Sequence, residues 1–287
     1  MKMIRDLFNF SSRNDDTLGI CLGGGAALGF AHIGVLQALE DHGIYPTHIS
    51  GSSMGAIVGT LYAAGYSPKE MLQMIKDDKL YKITTLMTFR PGFLRSGLSP
   101  HTMLRALVRE LIPHNSFEQL KKKMYVCVVN LNTGEYEFVS SGSHLDKWVA
   151  ASASIPGLFE TIRQCGIDYI DGGVLNNMPA QGLKDVCQTI IGVDVIPHKA
   201  PKELKKPIDT LAFAVRAMQH QNSREGRELC RYLIEPQAIE QFHEFNFDAY
   251  QAIYQSGYSA TAQYILDNPD MLKLSKVDAL TPQSAIG

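Results

Sequence analysis

Two rhythms of apolar residues alternate along the first part of this chain. Residues 18–22, Leu-Gly-Ile-Cys-Leu, form a short unbroken apolar run of strand length, and Gly23, Gly24 and Gly25 follow at once. Between Gly29 and His42 the rhythm changes, with Ile33, Leu36 and Leu39 at helical spacing and Gly43 as a stop. The sequence then repeats the scheme. Residues 47–50 predict a second strand, Gly51-Ser-Ser-Met-Gly55 a turn, and the small apolar residues 56–64 a buried helix ending at Gly65. Two strand, glycine-turn, helix units in 65 residues predict a parallel α/β sheet.

Punctuation marks the elements beyond. Ser67-Pro68-Lys69-Glu70 is a capping box with proline at the first helical position. Ser99-Pro100 and Ser116-Phe-Glu-Gln119 predict two further helices in the same way. Before Ser99, residues 80–98 are apolar and irregular (Met87, Phe89, Phe93, Leu94), suited either to packing under a loop or to flanking an acyl-chain groove. Residues 124–131 and 135–140 are β-rich and joined by Asn132-Thr-Gly134, which predicts a hairpin. Strands are predicted again at 167–170, just before Asp171-Gly-Gly173, and at 189–195. Pro197, Pro201 and Pro207 with intervening lysines read as a surface linker. Amphipathic helical stretches follow at 208–229 and 247–266, with a strand-like Tyr232-Leu-Ile234 between them.

Composition narrows the function classes. The chain has 287 residues, 45% hydrophobic and 20% charged, enough to bury a sizeable core in one α/β domain with a short appendage. A formal charge of −2 removes the broad basic field of a nucleic-acid binder. No apolar run reaches bilayer-spanning length, and residues 1–16 lack the apolar core and cleavage site of a secretory signal. Ile4, Leu7, Phe8 and Phe10 in that stretch suit either a frayed tail or contact with a membrane surface. The five cysteines form no CxxC pair, and Cys21 and Cys127 sit inside apolar runs. That usage predicts a reducing compartment and no zinc site.

Three places carry candidate chemistry. Gly51-Ser52-Ser53-Met54-Gly55 fits G-x-S-x-G, in which two glycines let a strand turn sharply into a helix and expose the central serine. A plain turn can carry the same letters, but here a strand precedes them and an apolar helix follows. Gly23-Gly24-Gly25 and Ala26, between a strand and a helix, gather backbone N–H groups suited to a phosphate or to a tetrahedral oxyanion. The dinucleotide fingerprint fails there, since Leu28 stands where its last glycine belongs, and no Walker lysine follows. None of the nine histidines falls in a recognisable catalytic setting: His32 lies inside the first helix and His198 in the linker. Asp171 ends a strand before two glycines that permit close approach, although Asp-Gly alone is ordinarily a turn.

These elements, in this order, resemble the patatin-like phospholipase family. The similar segments are Gly23-Gly-Gly-Ala-Ala-Leu-Gly-Phe-Ala-His-Ile-Gly-Val-Leu36, Gly51-Ser-Ser-Met-Gly-Ala-Ile-Val-Gly59, Ala151-Ser-Ala-Ser-Ile-Pro-Gly-Leu-Phe159 and Asp171-Gly-Gly-Val-Leu-Asn-Asn-Met-Pro179. The likeness spans residues 18–195, with a weaker likeness to the bacterial branch around 234–236 and 246–264. It implies a three-layer α/β/α sandwich with a mainly parallel central sheet, no cofactor or metal, and hydrolysis of lipid acyl esters by a Ser–Asp dyad. On this chain it implies Ser53 as nucleophile, Asp171 as base, Gly51 and Gly55 as the elbow, and Gly23, Gly24, Gly25 and Ala26 as the oxyanion loop. One departure stands out. The family's G-G-G-x-R-G loop, aligned on Gly29 and Phe30, meets Ala26 at a glycine and Leu28 at the basic position.

The organisation expected from this reading is an N-terminal tail (1–17), a catalytic domain (18–196) and a mainly helical extension packed on the same domain (197–287). A lipid or acyl-ester substrate, a cytoplasmic location with peripheral membrane contact, and no nucleic-acid partner complete it. Two competing readings remain open on the residues alone. An α/β-hydrolase with a Ser-His-Asp triad would need His220 or His243, and a non-catalytic lipid- or nucleotide-binding module would leave Ser53 unreactive.

Overall fold

A computed structural model describes residues 17–77, 100–196 and 207–276. The apolar stretch 80–98, the tail 1–16, and Pro197, His198 and Pro201 of the expected linker lie outside the described residues. The strands are β1 (Leu18–Leu22), β2 (His48–Gly51), β3 (Lys123–Asn130), β4 (Glu135–Val139), β5 (Ile162–Gln164), β6 (Ile167–Asp171), β7 (Thr189–Val193) and β8 (Tyr232–Ile234). They form one sheet in the order β5-β6-β3-β2-β1-β7-β8, with β4 paired to β3. From β3 through β2, β1 and β7 to β8 every pairing is parallel, whereas β3–β4, β3–β6 and β5–β6 are antiparallel. The sheet is mainly parallel, as the two early strand–turn–helix units require.

The central strands read as unbroken apolar runs because helices cover both faces. Every residue of β1 and β7 is buried. The helices are α1 (Phe30–Asp41), α2 (Met54–Ala64), α3 (Pro68–Lys76), α4 (Pro100–Leu111), α5 (Leu145–Ser152), α6 (Pro207–Asn222), α7 (Arg224–Glu228) and α8 (Tyr250–Asp267). In α2 every residue from Met54 to Ala63 is buried, the state of a helix that is apolar all round. Helix α1 is nearly as enclosed, because α8 lies directly on it. A Cβ on Gly34 would stand 2.0 Å from the Tyr254 carbonyl oxygen, and one on Gly257 would stand 2.1 Å from that of Ala31. The two backbones therefore meet where only glycine fits. Phe30 adds edge-to-face contacts with Phe247 and Tyr250.

One feature of the register positions the site. Val126 of β3 pairs with both Gly51 of β2 and Val139 of β4, while Val128 pairs with both Asp171 of β6 and Glu137 of β4. A strand has two edges, so β4 occupies one and both β2 and β6 occupy the other. Strand β2 runs along β3 to end at Gly51, and β6 runs against β3 to end at Asp171. Their C-terminal ends meet head to head, two residues apart along β3.

Several predicted elements take a different form. Ser116-Phe-Glu-Gln119 starts only a 3-10 turn, Phe117–Gln119, because the chain becomes extended at Leu120 and enters β3 at Lys123. The helical stretch 208–229 breaks at Ser223 into α6 and α7. There the Ser223 hydroxyl donates to the Gln219 carbonyl at 2.7 Å, and a Cβ on Gly226 would stand 1.7 Å from the Met178 carbonyl. Helix α8 is preceded by a separate 3-10 turn, Phe247–Ala249. Helix α5 and strand β5 were not predicted. The first starts from His144 at φ 65° with no side-chain cap, and the second is three residues long before a Cys165-Gly166 turn with φ of 51° and 81°.

Leu28 belongs to the core, at 2% exposure. Leu28→Arg would bury an unpaired charge there. We expect thermal melting of that variant to fall well below wild type, and a soluble variant melting at the wild-type temperature would contradict this placement.

Candidate active site

The turn after β2 is forced by close approach. A Cβ on Gly51 would stand 2.5 Å from the Gly55 carbonyl oxygen, and one on Gly55 would stand 2.1 Å from that of Leu22. With both glycines in place, Ser53 is thrown into φ 54°, ψ −125° at the head of α2. A non-glycine residue in such a region costs about 1–3 kcal/mol and persists only where its surroundings hold it. Part of that hold is visible. The Ser53 N–H donates to Ser152 Oγ at 3.1 Å, and the Ser152 hydroxyl donates to the Cys127 carbonyl of β3 at 2.7 Å. Ser53 remains 6% exposed, while its neighbour Ser52 is fully buried.

Asp171 reaches Ser53 from the opposing strand end. Its N–H donates to the Ser154 carbonyl at 3.1 Å, and its carboxylate accepts from the Gly173 N–H at 2.7 Å. Burial pushes the carboxyl up to about 7, against the opposing pull of hydrogen bonds from the Ser53 side chain and the Gly173 N–H. Gly172 is again a matter of space: a Cβ there would stand 2.4 Å from the Cys127 carbonyl and 2.8 Å from Ser52 Oγ.

The glycine loop lies against the same serine. A Cβ on Gly24 would stand 3.2 Å from Ser53 Cβ. Its N–H groups are not equivalent. Gly23 and Gly24, expected as oxyanion donors, spend theirs on the Val193 and Asn177 carbonyls at 3.1 and 3.2 Å. Gly25 and Ala26 have no acceptor for theirs among the described residues. Ala27 N–H donates to the Glu244 carbonyl at 2.9 Å, which ties the loop to the C-terminal part of the chain. Leu28, at the position of the family's basic residue, turns into the core and away from any such role.

Histidine takes a different part. His32 is fully buried, and its Nε2 lies 2.8 Å from the Gly23 carbonyl. Burial lowers it to about 4, so it sits neutral in α1 as a brace of the loop. His220 falls in the last turn of α6, and the His243 ring nitrogen accepts from the Phe245 N–H at 3.2 Å.

Three polar residues of the site carried no role in the sequence reading. Ser152 and Asn177 stand inside quoted family segments, but nothing local announces their partners. Asn222, near the end of α6, donates to the Gly173 and Val174 carbonyls at 3.1 and 2.9 Å and accepts from the Asn177 N–H at 2.9 Å. A helical asparagine gives no sequence signal of that kind.

Comparison with known proteins gives the family of the chain. The family described as "Patatin-like phospholipase" matches residues 20–184. Lysophospholipase NTE1 of Saccharomyces cerevisiae is 30% identical over 181 residues, which cover 62% of this chain and 11% of the yeast protein. An uncharacterized NTE family protein of Mycobacterium tuberculosis is 33% identical over 162 residues, covering 56% of this chain and 44% of that protein. The solved structure of VipD from Legionella pneumophila aligns with a TM-score of 0.48 at 18% identity, over 88% of this chain and 67% of that one. The chain thus spans a small part of the yeast relative and less than half of the mycobacterial one. With the family match running from β1 past Asp171 to residue 184, more than half of the chain, this protein belongs to the patatin-like phospholipase family.

Proposed function

We propose that this chain hydrolyses acyl esters of lipids, with Ser53 as nucleophile and Asp171 as the base that accepts its proton. The observation that carries the reading is the meeting of two strand ends that brings Ser53 to Asp171, whose buried carboxyl is held at about 7. A carboxylate of ordinary pKa is a weak base at neutral pH, and burial strengthens it where the serine proton must go.

In the reaction, Ser53 Oγ attacks the ester carbonyl as its proton passes to Asp171. The carbonyl oxygen becomes an oxyanion, which accepts hydrogen bonds from the free Gly25 and Ala26 N–H groups, aided by the positive end of α2. Collapse expels the alcohol, which takes the proton from Asp171 and leaves an acyl-serine. Water, deprotonated by Asp171, then attacks that ester; collapse of the second tetrahedral intermediate releases the fatty acid and returns the proton to Ser53. The substrate class comes from family membership and from relatives named lysophospholipases, and it makes lysophospholipids and short-chain esters the substrates to try first. Apolar substrate also suits peripheral contact with membranes. Among the described residues no helix is long and apolar enough to cross one.

A fluorophosphonate probe should label the wild-type protein at Ser53, and Ser53→Ala should lose both labelling and nitrophenyl ester turnover by several orders of magnitude. Turnover surviving in Ser53→Ala would refute the assignment. Turnover that instead vanished on His220→Ala or His243→Ala would favour a histidine triad.

The pH dependence follows from Asp171. It must be ionised to act, so kcat/KM should rise with pH through about 7 and level off above. Its folded pKa lies above the unfolded value, so the folded state binds the extra proton and stability falls as pH rises from about 4 to about 7. Asp171→Asn removes the charge while keeping an oxygen for the Gly173 N–H. We expect it to abolish turnover yet melt at a higher temperature than wild type at pH 8, and a lower melting temperature there would show that the carboxylate is not strained by burial.

A further inference from the structure

A trans peptide carries its C=O and N–H on opposite sides, so whatever holds one sets the direction of the other. The two unengaged donors of the glycine loop, Gly25 N–H and Ala26 N–H, belong to consecutive peptides that are held by different means. The Gly25–Ala26 peptide is held by the chain itself, since the Gly25 carbonyl accepts from the Leu28 N–H at 3.0 Å. The Gly24–Gly25 peptide is held by a side chain: Asn177 Nδ2 donates to the Gly24 carbonyl at 3.3 Å.

We propose that Asn177 is the positioning residue that aims the Gly25 N–H at the oxyanion. The inference rests on the reaction assigned to Ser53 above. Two consecutive glycines flank this peptide, so no Cβ restricts its rotation, and an outside partner must choose its orientation. Asn177 is equipped for that task. It is fully buried, its own N–H is fixed by Asn222 Oδ1 at 2.9 Å, and its carbonyl accepts from the Gly24 N–H at 3.2 Å. It thereby grips the peptides on both sides of Gly24. Its Oδ1 has no hydrogen-bond partner despite its burial. An amide kept in such a place with one end unsatisfied is there for the other end, the donor that reaches the Gly24 carbonyl. Because Asn177 stands six residues after Asp171 and is tied through Asn222 to Gly173 and Val174, base and oxyanion donor are referenced to one brace.

The test uses the full chain with Asn177→Ala and Asn177→Asp, assayed on a nitrophenyl ester at alkaline pH, where Asp171 is ionised. Asn177→Asp nearly keeps the side-chain volume but, ionised, has no donor for the Gly24 carbonyl. In both variants kcat should fall about a hundredfold with KM within a few-fold of wild type, the scale of losing one oxyanion donor. Affinity for a trifluoromethyl ketone of the same acyl chain, whose serine adduct carries the oxyanion, should fall in parallel. A folded variant with wild-type kcat and ketone affinity overturns the proposal, as does a rise in KM alone or the failure of both variants to fold. If the wild-type protein itself neither reacts with a fluorophosphonate nor turns over ester, the assigned reaction fails and the inference falls with it. If wild type is active and the variants are too, only the inference fails.

Discussion

The site depends on a single edge of β3. Because β4 takes the other edge over the upper half of the strand, β2 and β6 must share this one, approaching from opposite directions and stopping two residues apart. The backbone ladder thereby brings Ser53 and Asp171 together before any side-chain contact is made. Their neighbours then have little freedom. The Cys127 carbonyl lies between the two strand ends, close enough that residue 172 must be glycine, and it also receives the Ser152 hydroxyl that anchors the Ser53 N–H. One carbonyl oxygen thus sets the spacing of Ser53 and Asp171.

This arrangement works against stability at two points. Ser53 holds a strained backbone, and Asp171 holds a carboxyl that burial keeps from ionising at its usual pH. The core offsets both. Helices α1 and α2 are enclosed on nearly all sides, β1 and β7 are wholly buried, and Leu28 adds packing where a cation would have added charge. The resemblance to the family leads one to expect an arginine or lysine at that loop position. Without a cation here, an oxyanion bound as proposed would rely on peptide dipoles alone, whose directions rather than charges must be held, which makes the braces of the glycine loop correspondingly important. His32 supplies one such brace from α1 and Asn177 another from the loop after β6.

Much of this was legible in the residues because local chemistry and global fold agree. The runs at β1 and β2, the glycine turns after them and the Ser67–Glu70 capping box each announce the element that forms. The order of the motifs by itself points to the family. The failures share a cause: the signal was not local. Nothing in Leu145–Ser152 shows that Asn115 will accept from the Leu145 and Asp146 N–H groups, replacing the missing helix cap, or that Arg105 and Arg109 will pair with Asp146. Nor do three glycines and an alanine reveal which of their N–H groups will be taken. That division was settled by Val193 and Asn177, more than 150 residues further along the chain. Asn222 is illegible for the same reason, since its partners belong to a loop that α6 meets only after folding.

The backbone contact of α1 with α8 bears on the order in which the protein can assemble. Gly34 meets Tyr254 and Gly257 meets Ala31, so the helix that begins at the glycine loop is seated by a segment more than 200 residues further along the chain. Asp41 and Tyr258 extend the contact through a hydrogen bond of 3.0 Å. At translation speeds of roughly 5–20 residues per second, α1 waits on the order of ten seconds or more before its covering helix emerges. During that interval Phe30, Ile33 and their neighbours lack their final cover, a state that favours aggregation or capture by chaperones. A nascent chain therefore carries the serine early but gains a settled glycine loop late, and the growing polypeptide passes through its most vulnerable stage in between.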